Sequence, residues 1–161
     1  MILQYFKKKE NEYKTKSDKI YLNILNKSKS LLNNKFFNEI DFSTSFEIIC
    51  IFLIYHLKFF KNKDNALKKR VNEELMKNLV NDLDKSLRDV GISDMSIGKY
   101  VKKYVKKFYY RLKVLDPIFE NDNNEELLNY LNSFKFVNKK NSKELVNQIS
   151  AFFLQIKNNN E

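Results

Sequence analysis

Few side chains in this sequence belong to the types that carry out chemistry. His56 is the only histidine and Cys50 the only cysteine among 161 residues. Both lie in or beside the unbroken apolar run 48–55, where a core histidine with a hydrogen-bond partner is the expected state. One histidine and one buried cysteine do not supply the three or four ligands of a zinc or iron site. We therefore predict no metal, no cofactor and no disulfide.

The carboxylates also fail to form a catalytic pair. Glu73 and Glu74 are adjacent, and Asp82 and Asp84 are two apart. On a helix, side chains at those spacings do not face each other, so solvated surface is the expected role. No glycine-rich phosphate loop occurs either. The sequence thus gives no catalytic residue, and we predict a non-enzyme.

The densest group of charges lies between Lys99 and Lys113, with seven cations and no acid. At 100° per residue, its lysines gather on one broad side of a helix and the apolar residues on the other. Two explanations stay open: a solvated face enriched in lysine by codon bias, or a docking surface for phosphates of ribosomal RNA or anionic lipids. The predicted partner-binding residues are Lys99, Lys102, Lys103, Lys106, Lys107 and Arg111.

The net charge of +10 is weaker support for nucleic-acid binding than its size suggests. Only three of the 30 cationic residues are arginines. Proteins that read specific nucleic acids favour arginine, because its planar guanidinium matches base edges and phosphates. The excess of lysine and asparagine over arginine and alanine is typical of an AT-rich genome. Composition alone therefore leaves the partner open.

The only two glycines are Gly91 and Gly98, and both occur in the stretch DLDKSLRDVGISDMSIGKYVKKYVKKFYYRL, residues 82–112. Gly91 follows the last periodic residues of a helix, where a left-handed residue lets the chain leave the helix. Gly98 falls one turn inside the next helix and costs about 1 kcal/mol relative to alanine. Such a cost indicates a close approach to the backbone, by a neighbouring helix of the same chain or by a docked partner or ligand.

Apolar residues at helical spacing predict an all-α fold of about six helices. The predicted helices span about 13–32, 45–60, 63–89, 95–119, 124–133 and 141–157. The second is apolar nearly all round, so we expect it at the centre of a compact bundle. The third has the clearest apolar stripe, which Val80 broadens and whose members are four residues apart: Leu67, Val71, Leu75, Leu79, Leu83 and Leu87. Ser43 or Thr44 is its expected N-cap, and Ser17 or Asp18 lies near the expected start of the first helix.

We predict one helical domain over residues 13–157, a flexible segment at 1–12 and a polar tail at 158–161. The N-terminus lacks the apolar core of a secretory signal. The apolar run 48–55 is far shorter than the roughly 20 residues that span a bilayer, which favours a buried core helix over a membrane-surface role. A cytoplasmic protein, or a peripheral one at the inner face of a bacterial membrane, is expected in preference to one of the mitochondrial matrix.

The sequence of residues 82–112 resembles the signature of the ubiquinol–cytochrome c chaperone family. That pattern runs D-x-x-L-R-E-x-G-V-G-D-L-x-V-G-K-x-x-K, followed by F-Y-G-R. The matching residues here are Asp84, Leu87, Arg88, Asp89, Gly91, Asp94, Gly98, Lys99, Lys102, Phe108, Tyr109 and Arg111. Upstream, Phe46 and Glu47 resemble the family's F-E element, and the similarity extends over about residues 20–119. Tyr110, Ser93 and Ser45 depart from the pattern.

The resemblance implies a non-catalytic assembly factor that holds newly made cytochrome b of ubiquinol–cytochrome c reductase. It also implies binding near a ribosome and a small helical partner protein, although a bacterial homologue that acts alone or as a homodimer is equally compatible. No small-molecule substrate is implied. A groove between helices would accept an apolar client segment while the lysines contact an anionic surface.

Two other functions remain open at this stage. A helical module that binds RNA or the ribosome would show affinity that falls steeply with salt. A lipid- or quinone-binding protein would need a largely apolar pocket.

Overall fold

The apolar periods of the sequence fold as six α-helices, in a computed structural model that describes residues 2–60 and 64–158. The helices are α1 (Ile2–Leu31), α2 (Phe42–Phe59), α3 (Asn65–Asp89), α4 (Asp94–Glu120), α5 (Asn124–Asn132) and α6 (Ser142–Asn158). A short 3₁₀ turn, Lys139–Asn141, leads into α6. Within the described residues the only β pairing is an isolated bridge between Phe37 and Val137. The predicted all-α class is confirmed.

Five of the six helices begin and end close to their predicted positions, and the first does not. α1 begins at Ile2 rather than near Tyr13, so Ser17 lies in mid-helix, where it is buried, and does not act as a cap. The predicted start of α3 at residue 63 and the predicted tail beyond Asn158 lie outside the described residues. Pro117 lies inside α4, which continues to Glu120.

The N-cap of α2 is Asp41, and the prediction of Ser43 or Thr44 was wrong. The helix begins at Phe42, earlier than predicted, so its exposed amides need an acceptor one residue upstream. The Asp41 carboxylate accepts from Thr44 N at 2.8 Å. The Thr44 hydroxyl in turn donates to Asp41 Oδ1 at 2.9 Å, which fixes the cap.

The helices form two compact units. One unit holds α1 up to Leu22, α3, and α4 up to Tyr110. Its core is the predicted stripe on α3, in which Leu67 is only half-buried and the other five residues four apart are buried: Val71, Leu75, Leu79, Leu83 and Leu87. Polar contacts join α1 to α3, since Tyr21 donates to Asp82 Oδ2 at 2.8 Å and Asn78 donates to Ser17 Oγ at 3.1 Å.

The other unit holds α1 from Asn23, α2, α4 from Arg111, α5 and α6. The apolar helix α2 is buried over most of its length, as predicted. Its Tyr55 ring stacks on Phe153 of α6 and meets Phe119 of α4 edge to face. By length and hydropathy α2 passes as a membrane span, but 61% of it is buried inside the protein, as in the core helix of a globular unit.

Candidate functional site

The two glycines of the sequence mark a corner between α3 and α4. Gly91 has a φ of +98°, a backbone conformation that glycine adopts without steric cost. Gly91 N donates to Arg88 O at 2.9 Å, and Ile92 N donates to Leu87 O at 3.0 Å. These two bonds satisfy carbonyls at the end of α3 and turn the chain out of the helix, as predicted. The Ser93 carbonyl then accepts a hydrogen bond from the backbone amide of Ile97, in the first turn of α4, at 2.9 Å.

Arg88 braces this corner through two carboxylates. Its Nε donates to Asp84 Oδ2 at 2.7 Å, one turn back on α3. Its Nη1 donates to Asp94, in the first turn of α4. All three side chains are exposed, so each ion pair stabilises the fold by about 0–1 kcal/mol and mainly fixes geometry. The turn between α3 and α4 is therefore stabilised by four residues of the family motif: Asp84, Arg88, Gly91 and Asp94.

The remaining residues of the predicted motif divide between core and surface. Leu87 and Phe108 are buried, so they anchor α3 and α4 in their unit. Tyr109 has more than half of its surface exposed. Gly98 is exposed as well, one turn inside α4.

Among the residues that the structure describes, none lies close enough to Gly98 to require a glycine there. A Cβ built on it would meet nothing within 4 Å. This excludes a closely packed helix of the same unit, which was one of the two explanations for a glycine there. Alanine would stabilise the helix by about 1 kcal/mol at such a position, and no contact with a described residue offsets that loss.

Gly98 opens onto a groove between α3 and α4, here termed the α3–α4 groove. Its volume is about 600 Å³. Its lining residues are Val80, Asn81 and Asp84 of α3 with Gly98, Val101, Lys102, Val105, Lys106 and Tyr109 of α4. Val101 and Val105 belong to the predicted apolar side of α4 but remain half-buried, because the groove leaves them open to solvent. The chain therefore has an accessible apolar concavity next to the Gly91 corner.

Basic side chains of α4 lie along one edge of this groove and around a second hollow of about 750 Å³. We term the group Lys99, Lys102, Lys103, Lys106 and Lys107 the lysine face. Lys99, Lys102, Lys103 and Lys106 are exposed, and none of these four forms an ion pair with a described residue. Lys107 lies over the Tyr104 ring at 5.7 Å. The structure therefore brings these predicted residues together on one surface.

Arg111, the sixth predicted partner-binding residue, has a structural contact instead. Its Nε and Nη2 donate to Glu47 Oε2 and Oε1 at 2.8 and 2.9 Å. The Arg111 side chain is 16% exposed and that of Glu47 only 2%. This bidentate pair joins α4 to α2 within their unit, so Arg111 does not belong to the lysine face.

The surroundings of Arg111 keep its guanidinium charged. Burial would lower the pKa of Arg111, but its hydrogen bonds with Glu47, together with the charge interactions with Tyr130, Glu47 and Cys50, raise that pKa. The guanidinium also lies 5.0 Å from the centre of the Phe134 ring. Tyr130 donates to Glu47 Oε2 at 3.4 Å, and burial raises the pKa of its hydroxyl, which stays protonated. The cluster is a permanent polar contact in the interior.

His56 is a core residue, as predicted, but the structure shows no hydrogen-bond partner for its Nε2 among the described residues. Its ring stacks on Phe60 at 5.2 Å. Burial, with a smaller contribution from the charge of Lys27, lowers the pKa of His56 from 6.5 to about 4. Cys50 is buried and forms no disulfide. Over residues 2–60 and 64–158, no group of histidine, cysteine and carboxylate side chains is arranged to hold a metal ion.

Two features of the site escaped sequence reasoning. Val80 was assigned to the buried stripe of α3, but it is partly exposed and lines the groove. Its position five residues after Leu75 and one after Leu79 already places it at the edge of the apolar stripe. Glu47 was not matched with Arg111, although an acid at the start of an apolar helix requires a cationic or hydrogen-bonding partner.

Comparison with known proteins agrees with these motifs. A family model described as ubiquinol-cytochrome C chaperone matches residues 35–152, which include the Gly91 corner and the α3–α4 groove. The match extends beyond residue 119, where the predicted resemblance ends. It does not include residues 20–34, so the resemblance predicted there stays a prediction. No curated protein gives a significant match.

A solved structure supports the fold. The crystal structure of the Cbp3 homolog from Brucella abortus has a TM-score of 0.75 to this chain, with 21% sequence identity. The alignment covers 98% of this chain and 88% of that one. Because the family model covers most of the sequence, the chain belongs to the ubiquinol-cytochrome c chaperone family.

Proposed function

We propose that this chain is a non-catalytic assembly chaperone for cytochrome b of ubiquinol-cytochrome c reductase, and that the α3–α4 groove holds an apolar client segment. The observation that carries the proposal is the exposed Gly98 in an open apolar groove. Glycine lowers the stability of α4 here, and no contact with a described residue compensates for that loss. Family membership supplies the class of client.

Holding an apolar segment requires no catalytic group. Cytochrome b spans the membrane, so its helices expose apolar surface until haem and partner subunits cover them. Val80, Val101 and Val105 offer apolar surface in a concavity, and covering such surface removes the driving force for aggregation. The lysine face lies beside the groove on the same helix, where it would hold the protein against an anionic surface.

The same proposal includes a subcellular location. We place the protein in the bacterial cytoplasm, at the inner face of the membrane into which cytochrome b is inserted. The proposal is compatible with a protein that acts alone, with a second copy of this chain or with a small helical partner.

A ribosome- or RNA-binding role is the second candidate, because four exposed lysines of the lysine face form no ion pair with any residue that the structure describes. In that role the affinity for RNA would fall steeply with salt, whereas an apolar groove gives binding that depends weakly on salt. Replacing Lys99 and Lys103, which do not line the α3–α4 groove, with glutamine separates the two roles. Loss of RNA binding together with loss of cytochrome b accumulation would favour the RNA-binding role, whereas unchanged accumulation would favour the groove. A lipid or quinone would be better enclosed than this open groove allows.

Filling the groove at Gly98 tests the client-binding role. We expect Gly98→Leu to reduce the cytochrome b that copurifies with the protein about tenfold, since the side chain extends into open space that the client needs. Because leucine is also a better helix former by about 1 kcal/mol, the thermal stability should stay equal or rise. Ala151→Leu, which adds a leucine at an exposed position of α6, is the matched control. Unchanged capture of cytochrome b by Gly98→Leu would contradict the proposal.

A further inference from the structure

The length of the α3–α4 groove limits what it can hold. Along α4 it runs from Gly98 to Tyr109. At 1.5 Å per residue this is about 16 Å, or three helical turns. An occupant that follows the groove therefore contributes about three turns of helix, or a shorter extended segment.

The lining of the groove favours a helix over an extended segment. Apart from Asn81, Asp84 and the two lysines, its side chains are apolar or aromatic. A strand laid against such a lining would leave many of its backbone amides and carbonyls without partners, whereas a helix satisfies its own. The missing side chain at Gly98 allows a backbone to approach closely, which suits a small residue on the opposing helix.

The edges of the groove differ in charge. Lys102 and Lys106 lie one turn apart on the α4 edge, and neither forms an ion pair with a described residue. On the α3 edge, the Asp84 carboxylate is paired with Arg88 at 2.7 Å. The groove therefore presents two unpaired lysines along its α4 edge, whereas the one acid in its lining, Asp84, is in an ion pair with Arg88.

We propose that the α3–α4 groove selects an amphipathic α-helix with a small residue opposite Gly98 and two acidic side chains, four residues apart, facing Lys102 and Lys106. This inference rests on the proposed client-binding role of the groove and names the chemistry of the client segment. A helix flanked by lysine or arginine is disfavoured at this edge by like-charge repulsion. Specificity among apolar segments then comes from charge, because apolar contact alone discriminates weakly.

Designed peptides test the proposal with the purified full-length protein and without cytochrome b. The probe is a helical peptide of about 18 residues, with a leucine and alanine face and two glutamates four apart beside it. Companion peptides carry glutamine or lysine in place of the glutamates, and a fourth carries a central proline that breaks the helix. We expect the glutamate peptide to bind about tenfold more tightly than the glutamine peptide in low salt, and the lysine and proline peptides to bind more weakly still.

Two protein variants assign the preference to the groove edge. Lys102→Gln with Lys106→Gln should abolish the preference for glutamate and leave the glutamine peptide's affinity unchanged. Lys139→Gln with Lys140→Gln removes two exposed lysines of the 3₁₀ turn and should leave the preference intact. Gly98→Leu should block every peptide.

Three results would overturn the inference. The first is equal affinity for the glutamate and glutamine peptides, and the second is equal affinity for the glutamate and proline peptides. The third is displacement of the bound glutamate peptide by single-stranded RNA at a lower concentration than unlabelled glutamate peptide requires. The last result would mark Lys102 and Lys106 as a phosphate site. If charge preference fails while Gly98→Leu still blocks capture of cytochrome b, the proposed function stands and only the client chemistry is wrong.

Discussion

Arg111→Met is expected to destabilise the protein by about 3–5 kcal/mol, because it leaves the carboxylate of Glu47 buried without its cation. Glu47 is 2% exposed and receives both of its short ionic hydrogen bonds from Arg111. Unfolding in urea, followed by circular dichroism, measures the loss as a fall in the midpoint at constant slope.

Two further variants identify the buried charge as the cause. Arg70→Met removes an arginine that lies over the Tyr13 ring on the surface, and it should cost about 1 kcal/mol or less. Arg111→Met combined with Glu47→Gln should recover much of the loss, since glutamine carries no charge and still offers Tyr130 an acceptor. An Arg111→Met protein within about 1 kcal/mol of the parent would show that the pair does not hold α2 and α4 together.

Stability is expected to fall by about 2 kcal/mol between pH 7.5 and pH 5 through His56 alone. The folded protein holds the pKa of this side chain at about 4, against 6.5 in the unfolded chain. Between those values the unfolded state binds a proton that the folded state does not, so the stabilisation is complete above pH 6.5 and is lost as the pH falls toward 4. The cause is burial beside Phe60 and near the charge of Lys27.

The variant His56→Leu isolates this contribution. It retains the titration of all carboxylates and removes the proton that His56 would take up on unfolding. We expect its free energy of unfolding to change by about 2 kcal/mol less than that of the parent over the same pH range. Parallel pH profiles of the two proteins would mean that His56 titrates normally in the fold.

The helices were predictable because their signals are local. The stripe from Val71 to Leu87 repeats every four residues, and the left-handed bend at Gly91 needs a residue without a Cβ. The start of α1 was missed because residues 2–12 have few apolar side chains at helical spacing, so the helix that the structure shows there has no periodic signal. The Asp41 cap was missed because Ser43 and Thr44 are equally good caps by residue type.

The candidate site was harder to predict because its features depend on positions distant in sequence. The lysine face could be placed on one side of α4 from spacing alone, but spacing could not show that Arg111 pairs with Glu47, 64 residues away. Likewise, Val80 and Val105 look like core residues by period. Only the structure shows that they line an open groove, and that Gly98 has free space in front of it.

Photo-crosslinking during synthesis tests the central claim most directly. A photoreactive amino acid replaces Val105 in the α3–α4 groove or, as a control, Leu154, which is exposed on α6. The claim predicts that newly made cytochrome b crosslinks strongly from position 105 and weakly from position 154, and that Gly98→Leu suppresses the first crosslink. Crosslinks of equal strength from both positions, or from position 154 alone, would contradict the assignment of the groove as the client site.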